Sequence, residues 1–302
     1  MWGPQDESES IRALQTALEC GVNFFDTAEA YGAGYSEEVV GKALKGRRAD
    51  ALIATKVLPT NLDAQALRHA CEISLRRLDT DYVDLYQIHW PTEAPDTDEV
   101  VDTLQALCTE GKIRHVGVSN FGPLDLERYP DDLFVSNQVG YNLLFRAAEY
   151  SLIPATLKRG MSLISYSSLL HGILSGKVED ADDVPPDRAR TRHFSKDREL
   201  VRHGEPGHEE ATFATLARIR DLAKETGLSV RELAVKWVMA RDGVACVLVG
   251  SRTHDQAADS ASLGDNPLPP DIVSRLDEIT DPLKDEMGPN PDMWQAESRI
   301  SY

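Results

Sequence analysis

Cysteine is scarce and unpatterned: Cys20, Cys71, Cys108 and Cys246 are the only four in 302 residues, with no CxxC pair and no regular spacing. There is no disulfide framework to read, and three of the four lie in apolar stretches, so buried thiols in a reducing cytosol are the expectation. Long apolar runs are missing too. No segment approaches the length that crosses a bilayer, and residues 1–10, with Asp6, Glu7 and Glu9 and no basic side chain, cannot be a secretory n-region. Positive charge is in deficit: 32 Lys and Arg against 50 Asp and Glu leave a net charge of −18. Such a field repels phosphate backbones and anionic lipid over roughly the Debye length of ~8–10 Å. Nucleic acid and membrane are therefore poor partners, and a cytoplasmic location is expected. An anionic cofactor would need a basic or amide-rich pocket of its own.

What is present is alternation. Segments of helical period take turns with short apolar runs, the pattern of a parallel sheet with crossover helices. The first element is a helix with Ile11, Leu14 and Leu18 on one face and Gly21 as its stop. Strands are expected at residues 23–26, 51–56, 83–89, 115–120, 134–141, 162–166 and 246–250. Helices are expected at 36–44, 63–78, 98–108, 123–129, 147–159, 211–226, 230–241 and 255–262, with one more after Asp271. Ser229 and Glu232 form a capping box. Residues 177–210 carry Pro185, Pro186 and many charges without a period, which suits a long functional loop or lid.

Seven strands, each followed by helix, fit a TIM-type (β/α)8 barrel with only seven of its eight strands evident in this chain. An open doubly wound sheet is the alternative. It normally carries a Gly-rich phosphate turn after an early strand, and no GxGxxG occurs here. Residues 1–302 then form a single barrel domain, with 177–210 as a loop or lid within it.

In such barrels the chemistry gathers at the carboxyl ends of the strands. Those ends carry Asp26, Lys56, His89, Asn120, Gln138, the group from Tyr166 to Ser168, and Ser251 with Arg252. Each has an ordinary alternative: Asp26 as a helix cap, Lys56 as a solvated strand end, His89 as a core histidine, nearby Tyr31 as a packed loop residue. Their recurrence at successive strand ends favours a shared site.

Several of these residues sit in longer motifs. NFFDTAEAYGAG at 23–34, ATK at 54–56 and VDLYQIHW at 83–90 resemble the aldo-keto reductase segments that hold the catalytic Asp, Tyr, Lys and His. GKIRHVGVSNF at 111–121, SNQVGYN at 136–142, ISYSSLLHGILSGK at 164–177 and VLVGSR at 247–252 resemble the family's cofactor-binding stretches, so the resemblance covers almost the whole chain.

The resemblance implies reduction of aldehydes or ketones by hydride transfer from NADPH. Tyr31 would be the general acid, Lys56 would lower its pKa from about 10, Asp26 would hold Lys56, and His89 would orient the substrate oxygen. It further implies that Ser119, Asn120 and Gln138 bind the nicotinamide carboxamide and that Tyr166 stacks on its ring. Ser167, Leu169, Gly172, Leu174, Gly176 and Lys177 would strap the pyrophosphate. Gly250, Ser251, Arg252, Gln256 and Asp259 would hold the adenosine phosphate, where a guanidinium suits a 2′-phosphate and argues for NADPH over NADH. Ser260 stands where many members have an Asn. Trp90, Tyr141 and the tail around Trp294 would line the substrate, a small carbonyl compound. His193, His203 and His208 match no zinc spacing, so no metal is expected. Two other readings are a non-catalytic, cofactor-binding regulatory subunit and an inactive truncated reductase.

Family members usually begin with a hairpin and a first strand, and neither lies before Trp2. Unpartnered buried backbone groups cost about 1–3 kcal/mol each against a total stability of about 5–15 kcal/mol. The chain is therefore expected to melt lower, or to bind cofactor more weakly, than a version carrying an upstream strand. Equal melting temperatures and affinities for the two would refute this.

Overall fold

Polar side chains at Asp6, Asp63, Asp96, Ser229 and Thr253 cap the starts of helices. In a computed structural model, residues 5–93 and 96–302 are described; residues 1–4, which an upstream strand would join, lie outside them. Helix α1 (Glu7–Glu19) opens where the Asp6 carboxylate accepts from the Glu9 amide, and it stops at Gly21 with φ 90°. Then come β1 (Phe24–Asp26), α2 (Tyr35–Ala43), β2 (Leu52–Val57), α3 (Ala64–Arg77), β3 (Val83–Ile88), α4 (Thr97–Thr109), β4 (Ile113–Ser119) and α5 (Pro123–Glu127). The second half holds β5 (Ser136–Gly140), α6 (Leu152–Lys158), β6 (Ser162–Tyr166), α7 (Glu209–Thr226), α8 (Val230–Met239), β7 (Val244–Val247), α9 (His254–Ala261) and α10 (Pro270–Met287). Seven strands are thus found among the described residues; the first six overlie the expected segments, and β7 begins two residues earlier and ends at Val247 rather than Gly250. No helix among those residues is long and apolar enough to cross a membrane.

Two compact units divide the chain, residues 1–137 with 250–262, and residues 138–249 with 263–302. In the first, β1 to β4 pair in parallel and in sequence order, with Asp26 beside Ala54, Lys56 beside Gln87 and Gln87 beside Gly117. Every residue of β3 is buried, as expected of a parallel strand covered on both faces. Charge staples the amino-terminal ends of these strands. Buried Asp84 accepts from Arg48 at 2.6 Å, the Ile53 amide at 2.9 Å and Arg114 at 3.0 Å, while both guanidinium groups lie 4.0 Å from the Tyr82 ring.

In the second unit β6 and β7 are parallel, with a register shift at Leu163/Ile164. The Ser229 and Glu232 capping box starts α8 as expected. The helix expected at 147–159 is shorter. Ser151 leaves helical geometry at φ −144°, and Pro154, which tolerates only the first turn, fixes the start of α6 just before itself. Residues 177–210 have almost no regular structure, yet Val184, Ala189 and Phe194 are buried. Arg192 pairs with Glu205 at 2.6 Å, and Arg198 with Glu209 at 3.0 Å.

Gly41 of α2 sits against the end of α3: a Cβ there would meet the Leu78 carbonyl carbon and oxygen at 2.7 Å. Backbone cannot yield as a side chain does, so Gly41→Ala should cost about 1–3 kcal/mol. A lowered urea midpoint with an unchanged m-value is the expected result.

Candidate active site

Four polar side chains meet at the carboxyl ends of β1 to β3, all within the first unit. Lys56 has no solvent exposure, and its ammonium donates to Asp26 Oδ2 at 2.5 Å and to the Thr27 carbonyl at 2.9 Å. Its Nζ lies 5.1 Å from the centroid of the Tyr31 ring, and that ring meets His89 edge-on at 5.6 Å. Tyr31 stands on the turn Tyr31–Gly34, where Gly32, Ala33 and Gly34 all have positive φ, and it is 42% exposed. The sequence folds this way because the chain must leave β1 and reverse into α2 within a few residues, which two glycines permit.

Electrostatics fix the charge states. Burial works against the Lys56 ammonium, but the Asp26 carboxylate and then Tyr31 outweigh it and hold its pKa above the ordinary lysine value. His89 goes the other way: burial, with Lys56 as a second cause, pushes it down to about 3. It is therefore neutral at physiological pH. Its buried Nδ1 has no hydrogen-bond partner among the described residues.

One participant carries no motif in the sequence. Gln87, fully buried on β3, donates from Nε2 to Asp26 Oδ1 at 3.3 Å, so Asp26 is held through both oxygens. The available signal is strand parity, since residues 87 and 89 share a face. Beyond β4, Asn120 has φ 65° and donates to the Ser119 hydroxyl at 3.0 Å and the His89 carbonyl at 3.3 Å, joining the expected carboxamide ligands to the strand end that carries His89. Trp90 follows His89 and is half-buried.

In the same unit, Gly250, Ser251 and Arg252 lead into α9. The Ser251 and Ser260 hydroxyls lie 3.0 Å apart, and the Arg252 amide donates to Gln256 Oε1 at 2.8 Å. Ser260 is thus a partner of Ser251. Arg252, Gln256 and Asp259 are exposed.

The second unit holds the remaining expected residues. Gln138 is buried on β5, and Tyr166 closes β6 with its ring stacked on Trp294 at 5.9 Å and 8°. After it the chain turns repeatedly through positive φ, at Ser167, Leu170, His171, Gly172 and Gly176. Such runs point successive amides inward and suit a pyrophosphate. Leu169 begins this turn, Leu174 is buried in it, and Lys177 is exposed just beyond. Tyr141 departs from expectation. Its hydroxyl donates to Glu149 at 2.7 Å and accepts from Arg241 at 3.1 Å, its ring packs on Trp237, and it lines a cavity of about 340 Å³ with Leu157 and Arg241. The hydroxyl is thus engaged in an ion-pair network within the second unit.

No group of His, Cys, Asp and Glu among the described residues could hold a metal. His193 is engaged by Thr191 and the Leu144 carbonyl, His203 by the Thr191 carbonyl and His208 by Glu286.

Known proteins resemble this chain over most of its length. The model of the aldo/keto reductase family matches residues 1–281, through both units. The aldo-keto reductase YhdN of Bacillus subtilis is 36% identical over 273 residues, which is 85% of this chain and 78% of that protein. The glycerol dehydrogenase AKR11B4 from Gluconobacter oxydans superposes with a TM-score of 0.80 at 31% identity, covering 96% of this chain and 89% of that one. An aldo/keto reductase from Klebsiella pneumoniae, solved with NADP and acetate, gives 0.73 at 29% identity, over 91% and 86% of the two chains. Seven strands with their helices, the residues at the strand ends and these matches agree: the chain belongs to the aldo/keto reductase family.

Proposed function

We propose that this chain reduces aldehydes or ketones to alcohols with NADPH, and that Tyr31 delivers the proton. The observation that carries the reading is a fully buried, charged Lys56 held between Asp26 and the Tyr31 ring. A buried ammonium placed beside a phenol ring can stabilise the negative charge that develops on the phenol oxygen as its proton leaves.

When bound, NADPH supplies a hydride to the carbonyl carbon. The oxygen then gains negative charge, which the protein must meet with a proton. His89 is a poor source: with its pKa pushed down to about 3 it is a neutral ring, able to donate a hydrogen bond but with no readily lost proton. Tyr31 is left as the acid, Lys56 stabilises the phenolate, and Asp26 with Gln87 keeps the ammonium in place. His89 orients the substrate oxygen, and half-buried Trp90 supplies an apolar wall.

The residues present fit the cofactor. Ser119, Asn120 and Gln138 suit the carboxamide, Tyr166 the ring, the left-handed turns of 167–176 the pyrophosphate, and Arg252 the 2′-phosphate. A structural neighbour carries NADP. The substrate is a small carbonyl compound, the location cytoplasmic, and the net charge of −18 argues against nucleic acid. The family match through both units supports a single reductase domain.

Tyr31→Phe should lower kcat/KM for an aromatic aldehyde by about 10²–10⁴-fold while NADPH still quenches tryptophan fluorescence saturably. Unchanged turnover would remove Tyr31 from the role, and saturable quenching by the parent without any turnover would favour a purely binding protein. A pH series tests His89. Its pKa falls from 6.5 in the unfolded chain to about 3 when folded, so the unfolded state binds more protons between those values. The stability is present above 6.5 and drains away as pH drops toward 3. Urea midpoints of His89→Gln should fall less steeply over that window, and parent turnover should show no imidazole inflection between about pH 5 and 8.

A further inference from the structure

Helix α1 reaches the segment proposed to hold the 2′-phosphate, and it brings a negative charge there. Glu9 Oε1 accepts from the His254 backbone amide at 2.9 Å and from its Nδ1 at 2.8 Å. Four residues earlier, the Gln5 amide brackets Arg252, donating to its carbonyl at 2.5 Å and accepting from its Nε at 3.2 Å. Within α9 the Gln256 amide is taken by the Thr253 hydroxyl at 3.2 Å. One of the first-turn amides of α9, which would otherwise face an incoming anion, is therefore occupied by a carboxylate from another helix. That carboxylate is ionised at neutral pH, since bonding to the His254 side chain and then its amide holds the Glu9 pKa below the usual range.

We propose that Glu9 is a specificity-determining residue: a resident anion at the amino terminus of α9 that weakens selection of NADPH over NADH. The inference rests on the reading of Arg252 as the 2′-phosphate ligand. Two opposed elements then set the choice. Arg252, braced by Gln5, attracts the phosphate, and Glu9 repels it while leaving a cofactor with a plain 2′-hydroxyl almost untouched. His254 and the adjacent Asp255, 3.4 Å from His254 Nε2, complete the charged surroundings, with Arg12 near Glu9 on α1. A sequence-distant carboxylate acting through space on a dianion, in a partly exposed setting, is worth about three- to tenfold in affinity.

The test compares kcat/KM for NADPH and for NADH in the parent, Glu9→Gln, Glu9→Ala and Arg252→Ala, at low salt and at about 0.5 M salt, where screening is strong. Glutamine keeps an oxygen that can accept from the His254 amide, so Glu9→Gln removes charge and spares the geometry. The expected result is about a three- to tenfold rise in the NADPH:NADH ratio for Glu9→Gln, through a lower KM for NADPH at unchanged kcat, with most of the gain lost at high salt. Arg252→Ala should lower the ratio. If Arg252→Ala lowers it while Glu9→Gln stays within about twofold of the parent, the proposal for Glu9 is wrong and the reading of Arg252 stands. The proposal also fails if Glu9→Gln and Glu9→Ala shift both cofactors equally, which would mark a packing role alone. A ratio indifferent to Arg252→Ala would overturn the 2′-phosphate reading and the proposal with it.

Discussion

An ammonium sealed from solvent and kept charged is the constraint around which the first unit is organised. Removing such a charge from water is costly, and it stays protonated only where oxygens surround it. Lys56 has them in the Asp26 carboxylate and the Thr27 carbonyl. Both come from the end of β1, and the parallel register that sets Asp26 beside Ala54 brings them within reach. Taking away either member of a buried pair leaves the other uncompensated, at a cost of about 3–5 kcal/mol. The Asp26 and Lys56 pair is thus a stability element of β1 and β2 that also sets a charged ammonium 5.1 Å from the Tyr31 ring. Gln87 extends the arrangement to a third strand by holding the second oxygen of Asp26.

The two ends of these strands divide the work. At the amino-terminal end, Asp84 gathers two arginines and a backbone amide, and Tyr82 lies between the guanidinium groups. All of its charge is satisfied, and a fully paired cluster rigidifies. At the carboxyl end one buried nitrogen of His89 has no partner among the described residues, and Tyr31 is exposed. The amino-terminal cluster is paired within the protein, whereas His89 and Tyr31 leave hydrogen-bonding capacity open at the carboxyl end.

Much of this is legible in the sequence, and most of the misses share a cause. Strand and helix positions follow from period and caps, both local signals, and β6 at Ser162–Tyr166 agrees to the residue with expectation. Tyr141 is expected as aromatic lining of the substrate site, but its hydroxyl is drawn into Glu149 and Arg241, the second of them 100 positions away. Gln87 stands in the sequence as one polar residue in an apolar strand. The packing of residues 177–210, with Arg192 buried against Glu205 and His193 against the Leu144 carbonyl, has no period to betray it. Apart from the start of α6, which turns on a local proline, these are polar side chains held by partners on other segments, and hydrogen bonding of that kind leaves no rhythm for a linear reading to detect.

The hardest physical problem for an acidic chain that takes an anionic cofactor is charge, and the solution is local. A net charge of −18 acts at long range but is screened within about a Debye length, so what a phosphate meets at contact is set by its immediate neighbours. In the first unit the polar groups beside the strand ends include an uncharged His89, the Ser119 hydroxyl and the Asn120 amide; in the second, the turns of 167–176 pass through positive φ at Ser167, Leu170, His171, Gly172 and Gly176. Full positive charge is present in both units, on Lys56 and Arg252 in the first and on Arg188 and Arg190 beside the 167–176 turns in the second. Oriented amides attract an anion without adding a mobile charge that the surrounding carboxylates would capture. At Arg252 the brace is a neutral one: its Nε donates to the Gln5 amide oxygen, while the Glu9 carboxylate one turn further along α1 is directed at His254. A hydrogen bond of this kind orients the guanidinium fork, and orientation is what a bidentate phosphate contact requires.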